Sequence, residues 1–579
     1  MDTFYTDERN IQMLIYLMKV HNIKKVVASP GTTNISFVAS IQQDPFFEIY
    51  SSVDERSAAY IACGLAAESG EHVALSCTGA TASRNYIPAL TEAFYRKLPI
   101  LAITSTKHMG YIGQNTPQVI DRSIPLNDIA RMSVLIPTIH DEEDEWIYGV
   151  KLNAALLELC HRGGGPVHIN LTTTYSINFT VKELRPVRVI NRICSNDVLP
   201  ELKCGRVGIF VGAHRKWSDK LTRAVDDFCE AYNGAVICDH TSNYQGKYRI
   251  FFNLVTGQSR YISPCRNMDI MIDMGDISGA YIVTTPSQVW RVNPDGEVRD
   301  THRKLRFIFE MEEADFFNKY VEIASDKKPM SYYTECRSEY ERILAKVTDL
   351  PFSNVWIAKQ TCSLLPENCV LHLGILNSLR SWNFFETSIS VLGYSNTGGF
   401  GIDGGVSSLI GASLACPQKL FFGVVGDLAF FYDMNAVGNR HVGSNLRLIV
   451  VNNGRGTEFK NYNNNAAIFG DAADSYMSAA GHYGKQSIQL LKHYSQDLGF
   501  EYLSASNKEE YMRNLERFIT PETRNQPTLF EVFTDSKDES DALYLMNNIE
   551  VSVSGVAKEM AKKMLGEKGV KTLKKIFNE

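Results

Sequence analysis

Short apolar segments with the character of buried β-strands alternate with helical segments along most of this chain. In its first part, segments with helical spacing ("NIQMLIYLMKV", "ERSAAYIACGLAAES", "NYIPALTEAFYRK") are interleaved with strand-like ones ("KKVVAS", "HVALSC", "LPILAITS", "GPVHINL"). Buried strands that alternate with helices predict βαβ units and a parallel sheet that helices cover on both faces. The predicted fold class is therefore α/β, with doubly wound parallel sheets.

The pattern recurs after the polar stretch "NRICSNDVLPELKCG", residues 191-205, for which we predict a linker. A chain of 579 residues is too long for one core and suggests three domains. The second domain has strand-like segments but no G-x-G-x-x-G, so we interpret it as a Rossmann-like spacer. In the third, strands are predicted at "LFFGVVGD" and "LRLIVVNN" and helices at "VSSLIGASLAC" and "FFYDMNAVGNRHV". The predicted domains are 1-185, 190-345 and 350-560, followed by a basic tail at 561-579.

The composition argues against several classes of protein. A net charge of −6 gives no reason to expect nucleic acid or a membrane as partner. The N-terminus "MDTFYTDERN" lacks the basic and apolar regions of a signal peptide, and Asp427 interrupts the longest apolar stretch. The 12 scattered cysteines contain no C-x-x-C, which favours reduced thiols over a metal ribbon or a disulfide framework. We therefore expect a cytoplasmic protein.

Polar residues follow two apolar strands of the third domain. One strand ends in Gly426-Asp427 and is followed by a helix, and a later strand ends in Asn452-Asn453-Gly454. Because parallel strands end at the same edge of a sheet, these residues are expected to meet where α/β proteins bind ligands. Carboxylate, amide and carbonyl oxygens suit Mg²⁺, and a glycine at a helix start suits phosphates. Taken singly, "GD" and "NNG" are equally compatible with ordinary strand-end turns.

Together, the two strand ends resemble the diphosphate–metal motif of thiamine diphosphate (ThDP) enzymes. That resemblance implies that Asp427, the Asn453 side chain and the Arg455 carbonyl hold Mg²⁺. It also implies that Gly426 and Leu428 contact the cofactor. The usual third residue after Gly-Asp is glycine, and its replacement by Leu428 narrows the choice of subfamily.

A ThDP enzyme also needs a carboxyl group beside N1′ of the cofactor's aminopyrimidine. The stretch "YSSVDERSAAYIACGLAAES" places Glu55 before a helix rich in small residues, as the family requires. On local sequence alone, Glu55 is as well explained as an acid at a helix N-terminus. The segment "SCTGATASRNYIPALTEA" also resembles the pyrimidine-binding domain, which places Thr78 and Gly79 at the cofactor.

Within this family the chain is most similar to the SEPHCHC synthases of menaquinone biosynthesis, which add a decarboxylated 2-oxoglutarate unit to isochorismate. The shared features are an S-P-G turn, D-E-R at the glutamate, G-D-L in place of G-D-G, "GIDGGVSSLIGASLA" and "VNPDGEVRDTHRKL". They run in the order pyrimidine, central and diphosphate domain. The match implies that Ile402 bends the cofactor into its V shape; the alternative is a plain core isoleucine.

The chain departs from these synthases where they use arginines for their substrates' carboxylates. Their S-P-G turn continues Ser-Arg, whereas here it continues Thr32-Thr33, and a further family arginine is Thr397 here. Losing such bidentate anchors predicts a different donor, a different acceptor, or both. A third family arginine falls near Trp382, where Arg380 could replace it. The candidate substrate residues are Thr32, Thr33, Asn115, Gln118, Asn377, Ser378, Arg380, Thr397 and, as a loop acid/base, His108.

The predicted function is ThDP- and Mg²⁺-dependent decarboxylation of a 2-oxo acid, with ligation of the resulting unit to a carbonyl or alkene acceptor. A non-ligating decarboxylase that releases an aldehyde is the first alternative, and a catalytically degenerate ThDP-fold binding protein is the second. In this family the cofactor lies between the pyrimidine domain of one subunit and the diphosphate domain of another. The resemblance therefore implies a homodimer or homotetramer.

Overall fold

The computed structural model describes residues 4–202, 205–324 and 331–552. Its α-helices are α1 (Arg9–Val20), α2 (Ile35–Ile41), α3 (Glu55–Ser69), α4 (Thr81–Asn85), α5 (Ile87–Arg96), α6 (Glu142–Glu158), α7 (Asp219–Tyr232), α8 (Asn253–Thr256), α9 (Glu313–Glu322), α10 (Ser331–Leu344), α11 (Asn354–Thr361), α12 (Asn377–Trp382), α13 (Gly405–Ala415), α14 (Asp427–Tyr432), α15 (Leu490–Asp497), α16 (Lys508–Ile519) and α17 (Ser536–Met546). The predicted tail, 561-579, lies outside the described residues.

The strands are short and most of them are buried. They are β1 (Lys25–Ala28), β2 (Glu48–Ser51), β3 (Val73–Thr78), β4 (Ile100–Thr106), β5 (Met132–Ile136), β6 (Val167–Thr172), β7 (Asn191–Cys194), β8 (Val207–Val211), β9 (Gly234–Cys238), β10 (Arg249–Phe251), β11 (Asn267–Met274), β12 (Thr285–Val292), β13 (Leu305–Glu310), β14 (Val370–Leu373), β15 (Leu392–Tyr394), β16 (Phe421–Gly426), β17 (Leu446–Asn452), β18 (Glu501–Ala505) and β19 (Thr528–Phe533).

These elements form two compact units, Met1–Val198 with Asp295–Glu310 and Leu199–Pro294 with Met311–Glu579. The first unit holds a six-stranded sheet in the order β2-β1-β3-β4-β6-β5, and β13 pairs with β7 in the same unit. The second holds the strands β10-β9-β8-β11-β12 and a six-stranded sheet in the order β15-β14-β16-β17-β19-β18. All these pairings are parallel, so the α/β fold class is confirmed. The domain boundaries stay a prediction.

Helices cover both faces of the first sheet. Along β4, Leu101 and Ile103 belong to a core cluster with α1 and α6, whereas Ile100 and Ala102 belong to a second cluster with α3 and α5. Successive side chains of a strand point to opposite faces, which explains why β4 is apolar at consecutive positions from Ile100 to Ile103. The described helices include none that is both long and apolar enough to cross a membrane.

Two local predictions were wrong. The expected linker contains β7, which pairs with β13, because an edge strand that is half exposed carries the polar residues of a loop. The helix predicted over "FFYDMNAVGNRHV" ends as α14 at Tyr432, and a 3₁₀ turn, Met434–Gly438, follows. The break falls at Asp433. The Asp433 carboxylate accepts hydrogen bonds from the backbone N–H and from the hydroxyl of Ser407, both at 2.6 Å.

Candidate active site

Asp427 lies where β16 passes into α14. It is the first residue of the helix, it is only 4% exposed, and its carboxylate accepts the N–H of Gly454 at 3.1 Å. Burial raises the pKa of the Asp427 carboxyl to about 7, because the charged form loses hydration that these backbone donors only partly replace. A carboxylate in this state favours a cationic ligand, which would stabilise its charged form.

Asn453 follows the neighbouring strand β17. Gly426 pairs with Val451 in parallel register, so both strands end at the same edge of the sheet, as predicted. The Oδ1 atom of Asn453 is buried and has no hydrogen-bond partner among the described residues. Asn452 differs, since its Nδ2 donates to the buried Glu531 at 2.7 Å and its Oδ1 accepts the N–H of Gly454 at 3.2 Å. Of the two adjacent asparagines, only Asn453 has a side-chain oxygen left for a ligand.

A cavity of about 120 Å³ opens at these strand ends. The predicted residues that line it are Asn377, Ser378, Ile402, Gly426, Asp427, Leu428, Asn453 and Arg455. The Arg455 guanidinium points to Asp474 at 2.8 Å, and the Arg455 carbonyl accepts the N–H of Thr457 at 3.0 Å. A carbonyl oxygen has two lone pairs, so this one can accept a further ligand.

Candidate substrate residues of the second unit are engaged in internal contacts. Arg380 forms a bidentate ion pair with Glu458, at 2.6 and 3.2 Å. Ser378 is buried and accepts from Asn354 at 3.1 Å. Thr397 is also buried and does not line the cavity. Arg380 is therefore neutralised by a neighbour rather than held as a free guanidinium.

Glu55 is the first residue of α3. The helix is capped by the preceding Asp54, whose carboxylate accepts the N–H groups of Arg56 and Ser57. The cap leaves Glu55 half-buried, with one long hydrogen bond from Asn85 at 3.4 Å. Glu55 is thus not needed to cap its own helix, and its carboxylate remains largely uncommitted.

The turns that follow β1 and β3 are in close contact. A Cβ on Gly31 would come within 2.0 Å of the Thr78 side chain. A Cβ on Gly79 would come within 2.8 Å of both the Ser105 carbonyl and the Arg122 guanidinium. Both glycines are therefore required by close packing at the carboxyl edge of the first sheet.

The predicted substrate residues of the first unit differ in exposure. Thr33 is buried and donates its hydroxyl to the Ser105 carbonyl at 2.7 Å, whereas Thr32 is exposed. His108 is exposed, and its Nδ1 accepts the N–H of Gly110 at 3.0 Å. Of the two threonines that follow the S-P-G turn, only Thr32 is open to a ligand.

The remaining predicted substrate residues of the first unit are Asn115 and Gln118. Both are exposed in a loop, where they have positive φ values of 53° and 64°. This backbone conformation is uncommon for residues other than glycine, and it persists only where the surroundings impose it.

Three functional candidates were not predicted from the sequence. Glu458 neutralises Arg380, and Asn461 has a buried Oδ1 without a partner among the described residues. Arg122 is buried, and it donates to Thr104 at 2.5 Å and Asn170 at 2.7 Å without a carboxylate partner in the described part of the chain. Burial lowers the pKa of Arg122 to about 10. A sequence signal existed only for Glu458, an acid just after the Asn-Asn-Gly motif.

The chain is similar in sequence to known proteins. The family model described as "Thiamine pyrophosphate enzyme, N-terminal TPP binding domain" matches residues 10–124. A 2-succinyl-5-enolpyruvyl-6-hydroxy-3-cyclohexene-1-carboxylate synthase of Phocaeicola vulgatus is 30% identical over 566 residues, 93% of this chain and 98% of that protein. The synthase of Bacteroides thetaiotaomicron is 30% identical over 575 residues, with the same coverage.

Among solved structures, the 4-hydroxybenzoylformate decarboxylase of Rhodococcus jostii RHA1, a thiamine diphosphate-dependent enzyme, aligns with a TM-score of 0.39 and 14% identity. The alignment covers 91% of this chain and 99% of that one, but such a score supports no inference about this chain. The synthases match at 30% identity over nearly their whole length. The chain therefore belongs to the thiamine diphosphate-dependent enzymes, in the family of the 2-succinyl-5-enolpyruvyl-6-hydroxy-3-cyclohexene-1-carboxylate synthases.

Proposed function

We propose that this chain is a ThDP- and Mg²⁺-dependent enzyme that decarboxylates a 2-oxo acid and ligates the product to an acceptor, with substrates other than those of its named relatives. One observation carries the metal and cofactor site: within the described parts of the chain, the buried Oδ1 of Asn453 has no hydrogen-bond partner, and it lies beside the buried carboxyl of Asp427. A buried amide oxygen in this state and a buried carboxylate fit a hard metal ion.

The residues at this edge also fit the phosphates that such an ion would bridge. A Cβ on Gly426 would meet nothing within 4 Å, so the backbone there is open to a large ligand. The described residues contain no group of three or more His, Cys, Asp or Glu side chains that could hold a metal by themselves. Mg²⁺ suits a site of this kind, because it takes one or two protein carboxylates and completes its shell with phosphate and water.

The roles of the residues follow from these positions. When bound, ThDP supplies the carbon nucleophile that adds to the 2-oxo acid and accepts the electron pair released with CO₂. Asp427, Asn453 and the Arg455 carbonyl would hold Mg²⁺. Glu55 would hold a proton at N1′ of the aminopyrimidine, beside Thr78 and Gly79. Leu428 and Gly426 would contact the diphosphate side, and Ile402, which lines the same cavity, would support the bent cofactor.

The proposed change of substrates rests on the charges of this site. Among the described residues that line the cavity of about 120 Å³, Arg455 is the cationic one, and it is paired with Asp474. Arg380 is paired with Glu458, and the other two arginine positions of the synthases are threonines. At about 1.5–3 kcal/mol for each charged hydrogen bond, these losses would weaken the binding of two polycarboxylate substrates by orders of magnitude.

The test has two arms. Calorimetry of ThDP with and without Mg²⁺ is expected to show tight binding only with the metal. A panel of 2-oxo acids, including 2-oxoglutarate, scored by CO₂ release and then repeated with acceptors, is expected to identify a donor and acceptor pair other than 2-oxoglutarate with isochorismate. Binding that is independent of Mg²⁺ would refute the metal site, and efficient turnover of 2-oxoglutarate with isochorismate would refute the altered substrates.

A Glu55→Gln variant separates cofactor binding from chemistry. The amide cannot hold and release the proton at N1′, so turnover is expected to fall by about a hundredfold or more. ThDP is expected to bind nearly as in the wild type, because the diphosphate site is untouched. Wild-type turnover in this variant would contradict the role of Glu55.

A further inference from the structure

A second, larger cavity in the same unit adjoins the proposed cofactor site. Its volume is about 390 Å³, within the range of sites for small molecules. Glu458 lines both cavities, and Asn377, on the cofactor side, accepts hydrogen bonds from Arg380 at 3.3 Å and Asn461 at 2.9 Å on the other. The two cavities therefore adjoin at Glu458 and Asn377, which places a ligand in the larger one next to the proposed cofactor site.

The charges that face the larger cavity cancel. Arg380 and Glu458 are the charged residues among its described lining, and they bind each other through two hydrogen bonds. A ligand carboxylate would have to compete with Glu458 for Arg380 while it stood beside the Glu458 charge. Like charges placed side by side repel each other strongly in a desolvated site. The lining therefore disfavours an anionic ligand.

The rest of the lining consists largely of neutral hydrogen-bonding groups. Five asparagines, two serines and a threonine face the cavity. Asn461 is 7% exposed and its Oδ1 has no partner among the described residues, although its amide nitrogen donates to Asn377 and Glu458. Amides both donate and accept, as hydroxyl groups do, so this lining suits a ligand that carries several hydroxyls.

Three tyrosines, Tyr281, Tyr462 and Tyr544, complete the wall and are partly exposed at its rim. Their rings offer apolar faces beside the amide groups, and Tyr281 also lies 5.8 Å from the Arg380 guanidinium. A ligand with C–H groups on one face and hydroxyls along its edge would use both kinds of surface.

We propose that this cavity binds the acceptor of the reaction, and that the acceptor is an uncharged, polyhydroxylated carbonyl compound of the sugar type. This inference rests on the proposed function. In the overall reaction the C1–C2 bond of the donor breaks and CO₂ leaves. A new bond joins donor C2 to the acceptor's carbonyl carbon, and one proton from solvent ends on the acceptor oxygen. The reaction is redox-neutral and needs no further reactant.

Unreactive probes test the cavity independently of turnover. Erythritol and erythronate share a carbon skeleton and differ by one carboxylate, and ligand-observed NMR with the enzyme loaded with ThDP and Mg²⁺ measures their binding. Erythritol is expected to bind at least about tenfold more tightly than erythronate. Equal or tighter binding of erythronate, or no binding of erythritol, would overturn the proposal.

A Glu458→Gln variant tests the charge argument itself. It keeps the shape of the side chain but leaves Arg380 without its counter-charge, so erythronate binding is expected to improve at least about tenfold while erythritol binding changes little. Glu386→Gln is the control, because it weakens another part-buried ion pair, in which Arg337 Nη1 donates to both Glu386 oxygens at 2.8 and 2.9 Å, and this pair faces neither cavity. The same response in both variants would overturn the assignment.

Turnover distinguishes failure of this inference from failure of the proposed function. CO₂ release from a 2-oxo acid needs no sugar, whereas a ligated product needs one. With an active donor, D-erythrose is expected to give more ligated product than D-erythrose 4-phosphate. CO₂ release with a preference for the phosphate refutes the acceptor class alone. No CO₂ release from any 2-oxo acid refutes the proposed function, and the erythritol experiment still reports on the cavity.

Discussion

Asn452 and Asn453 are chemically identical neighbours with different surroundings. The Asn452 amide donates to Glu531 and its oxygen accepts the Gly454 N–H, whereas Asn453 has a buried oxygen without a partner among the described residues. We expect Asn453→Ala to weaken Mg²⁺-dependent ThDP binding by about a hundredfold or more, since even residues that only support metal ligands account for about 10–100-fold. Calorimetry with the metal at a fixed concentration measures this effect.

Asn452→Ala is the matched control for that change. It leaves Glu531 buried with one hydrogen bond fewer, so it is expected to lower the thermal midpoint while metal-dependent binding stays within a few-fold of the wild type. If both variants lose the cofactor equally, Asn453 is not a metal ligand and the pair acts only through the fold.

Glu539 predicts a specific dependence of stability on pH. It is 2% exposed and lines the cofactor cavity, and burial raises its pKa to about 7 despite donors at Thr534 and Asn354. The unfolded carboxyl, with its ordinary pKa near 4.5, releases its proton first. Its contribution to folding therefore falls as pH rises from about 4.5 to about 7 and then levels off, by at most about 3 kcal/mol at 1.4 kcal/mol per pKa unit.

The neutral amide of Glu539→Gln removes this titration. The thermal midpoint of the variant relative to the wild type is therefore expected to rise between about pH 5 and pH 7 and to stay constant above. Differential scanning calorimetry across that range measures the difference. A constant difference at all pH values would show that Glu539 is ionised in the fold.

At the level of elements, the contact between Gly31, in the turn after β1, and Thr78, at the end of β3, can be tested most directly. A Cβ on Gly31 would overlap the Thr78 methyl, so Gly31→Ala is expected to cost about 1–3 kcal/mol. Thr78→Ser removes that methyl, and the double variant is expected to recover much of the loss. A double-mutant cycle on thermal or denaturant unfolding measures the coupling, and additive effects would contradict the contact.

Gly64 in α3 supplies the opposite case. A Cβ there would meet nothing within 4 Å, and the residue lies inside a helix. Gly64→Ala is therefore expected to stabilise an isolated protomer by about 0.5–1 kcal/mol, the usual difference between these residues in helices. A loss of stability comparable to that of Gly31→Ala would show that another part of the protein packs closely against α3 at Gly64.

Buried central strands were predictable from sequence, and several other strands were not. The strands β3, β4, β16 and β17 are almost wholly buried and begin or continue as apolar runs, because both faces of their sheets are covered. Edge strands such as β2 and β7 are partly exposed and carry the polar residues of loops. The buried β19 also escaped prediction, since Glu531 interrupts its apolar run and is tolerated only through Asn452 and Tyr502.

The candidate site was also predictable only in part. Asp427 and Asn453 follow from the rule that parallel strands end at one edge, and the structure brings them to one cavity. The state of Arg380 could not be predicted, because its partner Glu458 lies 78 residues away in sequence. Nothing in the local sequence distinguishes a free arginine from one that a distant carboxylate neutralises, and that distinction decides which substrates the site admits.

At the level of the whole molecule, the outer face of α3 predicts self-association. The inner face packs Ala58, Ala59 and Ala62 into the core, whereas Tyr60 and Ile61 on the other side are 47% and 44% exposed, one turn from Glu55. We expect the wild type to be a dimer or larger in light scattering. Tyr60→Glu combined with Ile61→Glu is expected to shift it toward monomers and to lose turnover.

A substitution at Ile323, also an exposed apolar residue, is the control for that variant. Ile323 is 60% exposed and follows α9, so Ile323→Glu is expected to change neither the mass in solution nor the turnover. A fully active wild-type monomer would contradict a site that is shared between subunits.

The contact between Gly31 and Thr78 also bears on how the enzyme could be re-engineered. Gly31 lets the turn approach the Thr78 side chain closely, and the next residue but one, Thr33, donates its hydroxyl to the Ser105 carbonyl. Thr32 stands between these two anchors with its side chain exposed. We therefore expect a saturation library at position 32 to change the exposed surface of this turn with little cost to the stability of the fold.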